Sequence, residues 1–180
     1  MRPQSHDLLF DLAQRHDGYF TTAEAKAEGL SITALLGYLE RGSLERPSRG
    51  VYRLTRYPEM TPNSYLWANV LWPQAHSPVR AVLSHHTALR LHGLSDTNPT
   101  VIHLTIPKTF RIRRDHPKQL RLHRADLPDY DVEYVDGLPV TTVDRSLRDV
   151  AQIGDDRTLS DALRDARRRD LPIPRELQRV

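Results

Sequence analysis

The chain has 180 residues, 26 Lys plus Arg against 23 Asp plus Glu, a formal net charge of +3 and no cysteine. So small a net charge means that affinity for a polyanion has to come from local clusters, and the lack of cysteine excludes disulfides and thiolate metal sites. No apolar run approaches the length of a membrane span, and MRPQSHDLLF lacks the apolar stretch of a signal peptide, so a cytoplasmic protein is expected. Arginine supplies 23 of the 26 basic residues, a bias read mainly as GC-rich coding.

The first expected element is a helix over Ser5 to His16, capped by Ser5, with Leu8, Leu9, Leu12 and Ala13 as its buried stripe. Gly18-Tyr19-Phe20 reads as a small strand edge. Thr21-x-x-Glu24 is a capping box that opens a short helix from Ala23 to Glu28. Gly29 suits the left-handed residue that closes it. Ser31 caps the next helix, where Ile32, Leu35, Leu36 and Leu39 form one apolar stripe. The opposite face shows Thr33, Ala34, Gly37, Tyr38 and Arg41, and its small groups would let the helix backbone come close to base edges in a major groove. Leu44 to Arg46 and Val51 to Leu54 read as a β-hairpin around Pro47-Ser48-Arg49-Gly50. Arg46, Arg49, Arg53 and Arg56 surround it, with Glu45 as the only acid among them. Two helices joined by a glycine turn and followed by a basic hairpin predict a winged helix-turn-helix. Its usual work is holding duplex DNA; the alternative is a structural winged helix that docks a protein.

Residues 57–62, with two prolines in six, read as a linker. The expected domains are therefore a winged helix-turn-helix over 1–57 and a mixed α/β domain over 63–180, an α+β chain overall. In the second, helices are expected over Ser64 to Trp72, His85 to His92 (capped by Ser84), Thr142 to Val150 and Asp156 to about Arg169. Strands are expected at Arg80 to Leu83, Val101 to Ile106, Leu120 to His123 and Val132 to Val135. Pro99 and Pro107 bound the second of these strands.

The second domain offers little catalytic pattern. His85, His86 and His92 miss the i, i+4 spacing of helical metal ligands, so no metal and no cofactor are expected. Asp131 and Glu133 alternate onto one strand face, but no lysine follows as a nuclease would need, and a solvated face is the plainer reading. Asp129-Tyr130-Asp131 lacks the Gly-Ser turn of a nucleotidyltransferase, and the expectation is that the chain is not an enzyme. Lys108, Arg111, Arg113, Arg114, Lys118, Arg121 and Arg124 form a basic block, with Asp115 as its only acid. It is read as a long basic hairpin that binds DNA backbone or an acidic partner, or else as a solvated loop. Asp161 and Asp165 pair with Arg164 and Arg169 on an exposed last helix.

In order and spacing these segments resemble the AbiEi-type antitoxins of abortive-infection, type IV toxin–antitoxin systems. The resemblance runs through GYFTTAEAKAEGLS and LERGSLERPSRGVYRL, then LSHHTALRLHGLSD, VIHLTIPK and GLPVTTVDRSLRDVA. It implies a DNA-binding antitoxin and transcriptional autorepressor that counteracts a nucleotidyltransferase-like toxin. Relatives with a nuclease-like C-terminal domain continue past the point where this chain stops. The implied DNA contacts are Thr33, Ala34, Gly37 and Tyr38 on the second helix of the motif and Arg46, Ser48, Arg49 and Arg53 on the wing. Arg111, Arg113 and Arg114 are expected to add to them from the basic block, on its charge alone and not on the resemblance. The implied partners are the chain's own promoter DNA and a cognate toxin, with no membrane; a stand-alone regulator and a protein-interaction module without specific DNA binding remain the alternatives.

Overall fold

The computed structural model describes residues 5–77, 79–95, 100–111 and 116–178, with side chains from Asp7 onward. The expected cap by Ser5, the strand boundary at Pro99, and Arg113, Arg114 and Asp115 of the basic block lie outside what is described. The chain divides into two compact units, Met1–Arg80 and Ala81–Val180.

The first unit opens with α1 (Ser5–Gln14), β1 (Tyr19–Thr21), α2 (Thr22–Ala27) and α3 (Ile32–Glu40), followed by the hairpin β2 (Leu44–Ser48) and β3 (Val51–Leu54). The capping box forms as the spacing requires. Thr21 Oγ1 accepts from Glu24 N at 3.2 Å, and Glu24 Oε2 accepts from Thr21 N at 2.7 Å. Two helix-end donors are thus satisfied before α2 begins. Gly29 takes φ +88°, the left-handed geometry that turns the chain between α2 and α3. Ser31 Oγ then accepts from Ala34 N and caps α3.

Leu9, Leu12, Phe20, Leu35, Leu44 and Tyr52 form the centre of the core. The apolar stripe expected on α3 is only partly buried. Leu35 is fully enclosed and Leu39 packs at the core edge, but Ile32 and Leu36 are 49% and 46% exposed. Tyr38, expected on the outer face, packs against the core instead. The helix is rotated from its simplest reading because an aromatic ring at 38 covers more core than Leu36 does.

The small sheet runs β1-β3-β2, antiparallel throughout. A register shift between Glu45 and Ser48 places the irregularity at Arg46-Pro47. Proline has no N–H for the ladder, so the bulge sits where pairing is already impossible. β2 therefore runs two residues further than expected, and the tip is Arg49-Gly50, with Gly50 at φ +82°.

The stretch read as a linker belongs to this unit. Tyr57 packs on the core, Met60 N donates to Asp17 Oδ1 at 3.3 Å, and Ser64 Oγ donates to Asp17 Oδ2. A 3-10 turn (Ser64–Leu66) leads into α4 (Trp67–Gln74), which packs against β1 and β3 and buries Val70, Leu71 and Trp72. The first unit therefore ends at Arg80 and not at 57, because α4 needs the back of the small sheet to bury its apolar side. Closeness here is strict: a Cβ added at Gly50 would stand 2.9 Å from Ala75 Cβ.

The second unit contains β4 (Val82–Leu83), α5 (His85–Leu91), β5 (Ile102–Ile106), β6 (Leu120–Arg124), β7 (Val132–Val135), β8 (Leu138–Thr141), α6 (Val143–Gln152) and α7 (Asp156–Arg168). Its sheet has the order β6-β5-β4-β8-β7. β5–β6 and β4–β8 are parallel; β4–β5 and β7–β8 are antiparallel. β5 and β6 being parallel, the basic block cannot be a hairpin: it is the crossover between them plus β6 itself.

α5 packs on β5 and α6, and α6 on α7, around Leu89, Leu147, Val150, Leu159 and Leu163. β8 is fully buried and was not expected from the sequence. Proline argues against an inner strand. Here Pro139 sits near the strand entrance opposite Tyr134, and Val140 alone pairs with β4. On α7 Asp161 pairs with Arg164 as expected, but Asp165 pairs with Arg168. Arg169 turns back to the carbonyls of His92 and Gly93, at 2.8 and 3.1 Å.

Candidate nucleic-acid interface and a histidine cluster

α3 and the hairpin present the residues to which the sequence pointed, with differences. Thr33 is exposed, and Ala34 and Gly37 are half-buried. A Cβ on Gly37 would come within 3.2 Å of the Arg41 guanidinium, which lies over the Tyr38 ring at 4.8 Å. Tyr38 is thus a buttress that steers Arg41, and its ring is turned to the core. The exposed ridge of α3 is Ile32, Thr33 and Leu36, with Glu40 at its end.

At the wing, Arg46 and Arg49 are exposed and flank a shallow cleft of about 500 Å³ with Ser48. Among the described residues neither has a carboxylate within ion-pair distance. Arg46 rests 5.9 Å from the Tyr52 ring. Ser48 Oγ is buried without a hydrogen-bond partner. Arg53 is different. Its side chain is 16% exposed and sits between Glu45 (3.8 Å) and Glu59 (3.5 Å), beside the Tyr19 ring. It ties the hairpin to the following segment and is not displayed. Of the basic block, Arg111 is exposed and donates to Lys108 O at 3.4 Å, whereas Arg124 donates to Phe110 O.

The second unit brings together polar groups that are far apart in the chain. His85 opens α5, His103 lies on β5 and His123 on β6. One ring nitrogen from each falls within 4.8 Å of the others. His103 Nδ1 is 3.0 Å from His123 Nε2, and the His85 and His123 rings stack at 3.5 Å. His85 takes φ +53°, in the left-handed region. Ser84 does not cap α5 as expected. Its Oγ accepts from Thr105 at 2.8 Å and lies 2.9 Å from His85 Nδ1.

Burial and the neighbouring imidazoles push His85 down to about 2 and His103 to about 3. Burial and Arg121 push His123 to about 4. All three rings are therefore neutral near pH 7. Beside them Arg145 Nε donates to Asp149 Oδ1, and Arg145 Nη1 to Asp131 Oδ2, each at 2.8 Å. Asp131, expected on a solvated strand face, is buried in this network. Burial raises the Asp149 carboxyl above its ordinary value in spite of Arg145.

The sequence reading tested His85 only against residues on its own helix. The available signal was strand parity, which puts His103 and Thr105 on one face of β5 and Arg121 and His123 on one face of β6. Parity cannot say which strands are neighbours.

A search of curated proteins found no match. Two family profiles do match. One, described as a transcriptional regulator, AbiEi antitoxin, covers residues 7–55. The other, described as the AbiEi antitoxin C-terminal domain, covers residues 80–171. The boundary between the matched regions falls where the structure divides into its two units. With both units matched, the chain belongs to the AbiEi antitoxin family, with a regulator region followed by an antitoxin domain.

Proposed function

We propose that the chain binds duplex DNA of its own promoter through the winged helix-turn-helix, represses its operon by occupying that site, and counteracts a nucleotidyltransferase-like toxin encoded with it. The observation that carries this reading is the pairing of a solvent-facing α3 ridge with two arginines, Arg46 and Arg49, displayed on the wing with no carboxylate in ion-pair distance among the described residues. Arginines so displayed suit phosphate oxygens. The α3 ridge adds apolar groups, Ile32 and Leu36, of the kind that contact thymine methyls in a major groove. Repression then needs no catalysis, and the chain acts as a binder. Arg111 is a further phosphate or toxin contact, carried by the other unit.

The test is fluorescence anisotropy against promoter DNA and a scrambled duplex over a salt series. Preference for the promoter, with a salt dependence that becomes shallower by about 1 per arginine removed in Arg46→Ala/Arg49→Ala, supports the reading. Equal binding to both duplexes overturns specific repression. Relief of toxin-imposed growth arrest on co-expression tests the antitoxin half separately. Ile32 and Leu36 also favour a second reading, in which α3 docks a protein. Tight partner binding without DNA affinity would decide for it.

A further inference from the structure

The cluster of His85, His103 and His123 plays no part in the reading above. The geometry points to a binding site for one divalent transition-metal ion of the zinc class, held by these three imidazoles at the mouth of the cleft above β5 and β6.

Three neutral imidazoles from three separate elements each bring one ring nitrogen within 4.8 Å of the others. Imidazole suits zinc, copper, nickel and cobalt, whereas magnesium and calcium need oxygen donors. The 3.0 Å between His103 Nδ1 and His123 Nε2 is close to the ~3.3 Å that two nitrogens take when each lies about 2.0–2.1 Å from a tetrahedral zinc. Two buried rings, His85 and His103, supply ligands from α5 and β5, and half-exposed His123, stacked on the His85 ring, supplies the third from β6.

An independent observation comes from Asp149. It is 3% exposed, and its Oδ2 has no hydrogen-bond partner, yet that atom lies 3.8 Å from His85 Nδ1. A carboxylate behind a histidine is the outer partner that metal-ligating imidazoles ordinarily use. His85 Nδ1 itself lies 2.9 Å from Ser84 Oγ, so Ser84 holds the ring and the Asp149 carboxylate stands behind it. The adjoining cleft, about 500 Å³ and lined by Thr105, Leu122 and Gln152 among others, leaves the fourth coordination position open to water or to a side chain from a partner.

The experiment uses the whole chain, stripped with a chelator and dialysed. Titration calorimetry with Zn²⁺ should show one site, and Co²⁺ should give a visible absorption band that Zn²⁺ abolishes. His123→Gln should weaken the site at least tenfold, while His116→Gln, at an exposed position, should leave it unchanged. Circular dichroism of the stripped proteins reports whether the variant folds. Should His123→Gln not fold, ¹⁵N-histidine NMR of the unaltered chain decides. Zn²⁺ should move the ring nitrogens of His85, His103 and His123 and leave His92 and His116 in place. Absence of saturable binding up to about 100 μM, binding that His116→Gln removes, or shifts confined to His92 and His116 would each overturn the site.

Discussion

Arg46 and Arg49 stand on the wing facing solvent, whereas Arg145 in the second unit is clamped between Asp149 and Asp131 at 2.8 Å on either side. The same residue type does opposite work in the two places. In the first unit the core is apolar and the wing's Arg46 and Arg49 are displayed, while Arg53 is held between Glu45 and Glu59. In the second unit arginine, two aspartates and three histidines are drawn inside beside the sheet. Exposed charges of the first kind change binding without changing the fold; buried ones of the second kind are part of the fold.

That contrast can be broken at several points. The largest effect should follow Arg145→Ala. Removing the cation leaves Asp149 and Asp131 buried and unpaired, a loss of about 3–5 kcal/mol. Urea unfolding should show the second unit's transition moved to much lower urea, with the first unit's unchanged. Leu35→Ala should do the converse, removing about 2–5 kcal/mol from the first unit alone, and a single shared transition in either variant would show that the units are not independent.

A smaller effect belongs to the capping box. Thr21→Ala should cost about 1 kcal/mol in the first unit. Its pH dependence follows from Glu24. Burial opposes ionisation there, but hydrogen bonds from His16 and Thr21 outweigh it and hold the carboxyl below its ordinary 4.5. A lowered folded-state value means that this stability is present above the ordinary value and is lost as pH falls through the lowered one. Glu24→Gln should therefore flatten the acid limb of the first unit's melting curve. The smallest change in stability should come from Arg46→Ala/Arg49→Ala: an unaltered melting temperature together with a shallower salt dependence of DNA binding. Leu36→Ala sharpens the point from the other side. As a base contact it should reduce preference for the promoter and leave the salt slope alone.

Elements whose signals are local were legible in the sequence. The capping box at Thr21, the turn at Gly29, the cap at Ser31 and the hairpin around Gly50 are each written within a few residues. The structure places all of them, with β2 extended by the bulge at Pro47. The rotation of α3 was not legible, because Tyr38 and Leu36 compete for the same core and periodicity does not rank them. β8 was missed since Pro139 argues against an inner strand until the pairing with β7 and β4 is known. The histidine cluster was missed for the same reason on a larger scale: residues 85, 103 and 123 meet only once a parallel β5–β6 pair exists.

β4 has a consequence for how the chain comes into being. Two residues, Val82 and Leu83, join β5 on one side to β8 on the other, so the five-stranded sheet has no continuous centre until Val140 finds Leu83. The small sheet and helices of the first unit draw only on residues up to Arg80. During synthesis, where domains form in order from the N-terminus, the winged-helix unit is complete while the later sheet is still in two halves. A message truncated between Arg80 and β8 therefore yields a folded regulator region attached to an antitoxin domain that has no centre.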